Sequence, residues 1–275
     1  MNKEKRIMAI NMNDFGGRTE HLMRHRYFNN RDRRYHIDWK YWAREVEKRE
    51  TWNGLLEYIL NKQPELLVIS EMLISCYEDI DFIGELENIG YAYLEECLPE
   101  RGNYSLTMMF FRTGKPVYVN SPGKYRKNRS VICREGNMMI CGSHFPYESD
   151  EVFLKYMEDF VLDSLSLNRD FLLIGDLNAS DPTKENKKMV NKLLEAGAVD
   201  LWMAAGNDEN TPTEAKYQGR LDYAIASPSF ARRVKNVEID PLLMNSGITR
   251  GEYCGRKKRI DEQRSHGCFC KKSII

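Results

Sequence analysis

Gly175-Asp176-Leu177-Asn178 closes an apolar run, Phe171-Leu172-Leu173-Ile174. Four apolar residues in a row read as a buried strand. An acid and a carboxamide stand at its mouth, separated by one residue. On an extended backbone Asp176 and Asn178 point to the same side. Such a pair suits the orientation of a water molecule and a grip on a phosphoryl oxygen. The same residues also suit a strand-to-helix turn capped by Asn178 or Ser180. The rest of the chain has to decide between these readings.

Other apolar stretches end in the same way. Ile10 leads to Asn11, Ile69-Ser70 to Glu71, and Ile140-Cys141-Gly142-Ser143 to His144. Arg220-Leu221 leads into Asp222-Tyr223, and His266 precedes the last apolar stretch. Each is ordinary by itself: a histidine beside an apolar run is usually a hydrogen-bonded structural residue. Together they offer carboxylates and amides for a hard cation and two imidazoles for acid–base work. No nucleophilic serine or cysteine motif accompanies them. The oxygen-rich set favours Mg²⁺ or Mn²⁺ over zinc. Cys254, His266, Cys268 and Cys270 lack the C-x-x-C spacing of a zinc site.

These residues must be held by a sheet. Strands are expected at 6–10, 65–71, 91–98, 104–112, 117–120, 130–134, 138–145, 170–174, 198–202, 220–226 and 268–275. Helices are expected within 39–60, around 79–88, over 149–167 and around 184–195. Val152, Phe153, Tyr156, Met157, Phe160 and Val161 share one face of the third of these. Strands outnumber helices, and hairpins mix with strand–helix–strand units. That order implies one sheet domain with helices outside.

With 275 residues and 42% apolar content, a substantial core can form. No repeat, linker or composition shift divides the chain, so a single domain over 1–275 is expected. The 41 basic and 41 acidic side chains cancel, so the chain as a whole is no basic nucleic-acid binder. The charges are unevenly placed, however. Arg18–His36 interleaves arginines, Arg24 and Arg26 among them, with aromatic residues. It reads as a basic insertion suited to phosphates and stacked bases, or as a solvated surface segment. Residues 124–134 and 250–264 are also basic. Seven scattered cysteines, an odd number, suit free thiols in a reducing compartment. No secretory pattern and no run of ~20 apolar residues is visible. A soluble, cytoplasmic protein without a membrane partner is expected.

With these residues in view, the sequence resembles the endonuclease/exonuclease/phosphatase superfamily, with its deoxyribonuclease-I-like fold. Ala9-Ile10-Asn11 looks like the family's first-strand Trp-Asn. Pro64–Glu71 is similar to its metal-binding "PD-apolar-QE" strand, and Gly142–Pro146 to its "T-H-L" segment. Gly175–Asn178 matches "GD-x-N", the most specific signal. Ala198–Trp202 resembles "x-x-D-x-W", and Thr211-Pro212-Thr213 with Arg220–Ile225 resembles "PT…R-[IL]-DYI". Ser265-His266 falls where the family has "SDH", with Ser265 in place of the Asp that commonly helps hold metal.

The resemblance implies an α+β chain in a four-layered α/β sandwich, two packed, mainly antiparallel β-sheets flanked by helices. It implies a metal-dependent hydrolase of phosphate esters; a monomer is expected, although no residue pattern speaks to the oligomeric state. Glu71, with Asn11 and Asn13, would hold Mg²⁺ or Mn²⁺. Asp176 would activate water, and Asn178 and His144 would donate to phosphoryl oxygens. His266, oriented by Asp222, would assist the leaving oxygen. The basic stretches, with Arg24 and Arg26, favour nucleic acid as partner, DNA ahead of RNA. Two alternatives stay open. One is a phosphatase or phosphodiesterase for inositol phosphates or phospholipid headgroups. The other, motivated by Ser265, is a catalytically impaired nucleic-acid-binding relative.

Overall fold

The computed structural model describes residues 5–11, 55–73, 82–97, 105–119, 129–213 and 219–240. The elements are β1 (Ile7–Asn11), α1 (55–62), β2 (Leu66–Leu73), α2 (Phe82–Asn88), β3 (Ala92–Tyr93) and β4 (Ser105–Phe111). Then follow β5 (Val117–Val119), β6 (Ser130–Glu135), β7 (Met138–His144), α3 (Glu151–Ser166) and β8 (Asp170–Asp176). The series ends with α4 (Glu185–Glu195), β9 (Val199–Asp200), α5 (Leu201–Ala204), β10 (Asp222–Ala226) and α6 (Pro228–Ala231).

Among the described residues these strands form two sheets. One has four strands in the order β1-β2-β4-β3, and the other six in the order β5-β6-β7-β8-β10-β9. Most pairings are antiparallel, but β1 with β2 and β7 with β8 are parallel. Side chains alternate across each strand, and this alternation builds the layers. In β8, Phe171 and Leu173 pack outward with Phe153, Met157 and Val161 of α3 and with Val190 and Leu193 of α4. Leu172 and Ile174 face inward and meet Ala9, Val68 and Met109 of the other sheet. The far face of that sheet carries Met8, Ile10, Leu67 and Ile69 beneath Leu55 and Ile59 of α1. Helix, sheet, sheet and helix therefore stack as the four-layered sandwich. A Cβ on Gly142 would lie 2.7 Å from Val68 Cγ1, so the close approach of the sheets requires glycine there.

Several element boundaries differ from expectation. The strand expected over 91–98 shrinks to Ala92–Tyr93, followed by a 3₁₀ turn at Glu95–Cys97. The strand expected over 198–202 stops at Asp200, because the Asp200 carboxylate accepts from Trp202 N (3.0 Å) and caps α5. The helix expected over 149–167 begins at Glu151 behind its cap Asp150 and ends at Ser166. The strand expected at 268–275, the basic insertion at 18–36 and most of 39–60 lie outside the described residues. Cys133 and Cys141 are buried free thiols. Burial, reinforced by Glu135, pushes Cys133 up to about 12, so this thiol is inert. Among the described residues no helix is long and apolar enough to cross a membrane.

The start of β8 is tied to α6. Ser229 Oγ donates to Asp170, and Arg233 Nη2 lies 2.6 Å from its Oδ2. The Ser229 hydrogen bond, and after it Arg233, hold the Asp170 carboxyl below its ordinary range although burial opposes them. A depressed folded-state value stabilises the fold above the unfolded aspartate value of about 3.9. That contribution disappears as pH falls through the folded value. Asp170→Asn is therefore expected to flatten the acid limb of stability, read from urea unfolding between neutral and acid pH. Parallel curves for the variant and the wild type would contradict this.

Candidate active site

The alternation that builds the core also aims the polar strand ends. In β1, Ala9 faces the other sheet, so Asn11 does too. In β7, β8 and β10 the inward residues Ile140, Ile174 and Ala224 share parity with His144, Asp176 and Asp222. These side chains thus emerge at one edge of the layer between the sheets, where they meet. Asn11 Nδ2 donates to Asp176 Oδ2 at 3.0 Å, joining the first sheet to the second. His144 and Asp176 are partners in the parallel β7–β8 register, and Asp222 lies opposite Asp176 across the antiparallel β8–β10 pair. Opposed residues share a face, with Cβ atoms about 4.5–5.5 Å apart.

Glu71 breaks the pattern. It shares parity with Leu67 and Ile69, which would put it beneath the helices. A bulge lies between Ile69 and Met72, and Glu71 takes φ +53°. Bulges re-aim side chains in this way. Met72 fills the helix-facing position in its stead, while Glu71 Oε1 lies 3.2 Å from His144 Nε2. Strand β2 thus runs on through Glu71 to Leu73 and does not end at the carboxylate.

Arg129 supplies a further contact to His144: its Nη1 lies 2.8 Å from Nδ1 and 3.4 Å from Nε2. A guanidinium has only N–H donors, so in the shorter of these contacts Nδ1 accepts, and the tautomer that fits it carries its proton on Nε2. The Nε2–H then points to Glu71, and Asp176 Oδ2 is 4.0 Å away. Arg129 was legible in the sequence only as one charge in the basic stretch 124–134. The signal that places it is the β6–β7 register, which seats Ser130 opposite Ser143.

Asp176 is 1% exposed, and its Oδ1 accepts from Asn178 N at 3.0 Å. The extended backbone that would point Asn178 to the same side as Asp176 is not kept. Strand β8 ends at Asp176, and Asn178 has φ +48°, so the chain turns there. Its Nδ2 donates to Phe145 O at 2.7 Å. Gly175 has a structural reason: at φ +139°, a Cβ would lie 2.1 Å from Ser143 O. At the start of β10, Thr213 Oγ1 accepts from Leu221 N (2.8 Å) and Asp222 N (3.0 Å). The structure therefore brings Asn11, Glu71, His144, Asp176 and Asp222 to one edge, with Asn178 beside them. Asn13, Arg24, Arg26, Ser265 and His266 lie outside the described residues.

A model of the Endonuclease/Exonuclease/phosphatase family matches residues 51–251. The chain belongs to this family. Its members are metal-dependent hydrolases of phosphate esters, and so is this chain. An AP endonuclease from Archaeoglobus fulgidus is similar in structure, with TM-score 0.57 and 15% identity over 70% of this chain and 87% of that one. A 3′ phosphatase from Neisseria, NExo, bound to a product DNA hairpin, matches with TM-score 0.57 and 14% identity over 80% of this chain and 92% of its own. A 3′-5′ exonuclease from Neisseria meningitidis matches with TM-score 0.53 and 15% identity over 70% and 90%. At these identities the likeness concerns the fold. A search of curated proteins finds no match.

Among the described residues, no three His, Cys, Asp or Glu side chains gather to hold a metal ion by themselves. The donors at the edge are the Glu71 carboxylate and the Asn11 carboxamide, both hard oxygen ligands. They fit a cation that takes one or two protein carboxylates and completes its shell with water and substrate phosphate.

Proposed function

We propose that this hydrolase cleaves phosphodiester bonds of nucleic acid, DNA in preference to RNA, with Mg²⁺ or Mn²⁺. The observation that carries this reading is the meeting of Glu71 and Asn11 from one sheet's strands with His144 and Asp176 from the other's. Glu71 and Asn11 would hold the cation, with Asn13 a further candidate outside the described residues, and the bound cation would supply Lewis-acid chemistry to the phosphate. Asp176 orients the attacking water and accepts its proton as the new P–O bond forms. His144 turns its Nε2–H to a phosphoryl oxygen, where charge builds. Asn178 offers its second carboxamide N–H to the same charge. His266, which lies outside the described residues, would assist the leaving oxygen as the old P–O bond breaks, in the role that the family resemblance implies.

Two features support a polymer over a small headgroup. The basic stretches 18–34, 124–134 and 250–264 would give an extended polyanion several contacts. Tyr147, three residues beyond His144, is 67% exposed with Lys184 Nζ 4.3 Å from its ring centroid. An exposed aromatic beside a cation suits a base and its phosphate.

The deciding measurement is hydrolysis of labelled single- and double-stranded DNA and RNA, beside soluble inositol phosphates, with Mg²⁺, with Mn²⁺ and with EDTA. Cleavage of DNA that EDTA abolishes and added Mg²⁺ restores is the expected result. Turnover of an inositol phosphate with every polymer intact would overturn the reading.

A further inference from the structure

Asn186 sits in the first turn of α4 and is 1% exposed. Its side chain does not touch the polar groups at the sheet edge. Instead, its Nδ2 lies 3.0 Å from Pro146 O, 3.2 Å from Leu177 O and 3.4 Å from Asn178 O. Pro146 lies two residues beyond His144. Leu177 and Asn178 lie one and two beyond Asp176. One carboxamide thus gathers the carbonyls of the two segments that leave β7 and β8. Asn178 Nδ2 to Phe145 O and Phe145 N to Asp176 O (2.8 Å) close the same gap nearer the site.

The other end of the Asn186 amide is poorly served. Its Oδ1 is buried with no hydrogen-bond partner. An orphaned buried acceptor lowers stability, and an apolar residue of the same shape would avoid that. What no apolar residue supplies is a pair of N–H donors for three loop carbonyls. Flipping the amide would set its oxygen against those carbonyls, so the donor set fixes its orientation.

We infer that Asn186 is a positioning residue: it holds the β7 and β8 exit segments together and so sets the separation of His144 and Asp176. The inference rests on the proposed roles of those two residues in phosphodiester hydrolysis. Asn186 itself meets no reacting atom. A small misplacement of reacting groups is enough to slow chemistry by about 10²-fold.

The test pairs two variants with two readouts. N186D keeps the size of the side chain and removes both N–H donors; N186L removes them without adding charge. Hydrogen exchange of the backbone amides reports the loops whether or not a substrate is known. Both variants are expected to exchange faster over 145–147 and 176–179 while 171–174 stays protected. With a cleaved substrate in hand, kcat per folded molecule is expected to fall by about 10–100-fold, with KM nearly unchanged. A residue that merely stabilises the fold would lower the folded fraction and leave kcat per folded molecule intact. Unchanged loop exchange in either folded variant would overturn the inference. So would a kcat within threefold of wild type. An inactive wild type with loosened variant loops would instead place the failure in the proposed reaction.

Discussion

Asp176→Asn is expected to lower the proposed phosphodiester hydrolysis by about 10²–10⁴-fold while leaving the protein folded, the range over which a general base, the role proposed for Asp176, contributes. The expectation follows from what surrounds the carboxylate. It is 1% exposed, its Oδ1 accepts from Asn178 N, and its Oδ2 accepts from Asn11 Nδ2. Two donors hold it in one orientation, so substrate binding costs it no reorganisation. The carboxamide keeps the shape but cannot take a proton from water. It also turns an N–H₂ group toward Asn11 or Asn178, both of which donate. Folding is less exposed to the change, because the inward face here already crowds Asp222 opposite Asp176. Removing one of two neighbouring negative charges offsets part of the lost hydrogen bonding. The measurement is cleavage of labelled DNA by wild type and variant, with thermal melts confirming the fold. A folded variant retaining more than a tenth of the activity would remove Asp176 from the centre of the reaction.

The second large effect is on stability. Asp200→Ala is expected to cost about 3–5 kcal/mol, the range seen when one partner of a buried ion pair is removed. Arg220 grips Asp200 with both terminal nitrogens, Nη1 to Oδ1 at 3.1 Å and Nη2 to Oδ2, and both side chains are 3% exposed. Burial pulls the Arg220 pKa down, but the Asp200 hydrogen bond and charge outweigh it, and the net direction is upward. The cation therefore persists in the fold. Without Asp200 it is left charged and buried over the Tyr223 ring, 4.1 Å from the centroid. The same carboxylate caps α5 through Trp202 N, so the substitution also removes a helix cap. Urea unfolding of Asp200→Ala and of the double variant Asp200→Ala/Arg220→Met separates these contributions. The double variant is expected to recover part of the loss, because it carries no unpaired charge. A loss below about 1 kcal/mol in the single variant would mean that water reaches the site and that the pair is worth no more than a surface one.

Much of the candidate site follows from local pattern. The alternation of Phe171 and Leu173 with Leu172 and Ile174 is a property of an extended backbone. It carries Asp176 to the inner face without reference to any other strand. Asn11, His144 and Asp222 follow from the same parity. Gly175 was legible as part of a motif, but its reason, the carbonyl of Ser143 on a neighbouring strand, was not. The boundary at Asp200 was misread because one carboxylate can extend a strand or cap a helix, and the short apolar run Ala198–Trp202 suits both.

What the sequence alone determined was the set of polar groups at strand ends and, through the two-residue period, the side to which most of them point. Only the tertiary structure decided that Asn11 reaches Asp176 across two sheets. It alone turned Glu71 away from the helices, set Arg129 against His144, and placed Asn186 under the carbonyls of two separate segments. The physical reason is the range of the interactions. Side-chain parity is set by backbone geometry over two residues. The bulge at Glu71 is a mismatch between β2 and β4, and the other contacts depend on which strands become neighbours and in which register. Those pairings arise from burial summed over residues far apart in the chain, and they bring together groups such as Asn11 and Asp176, 165 positions apart; no local window of the sequence contains that sum.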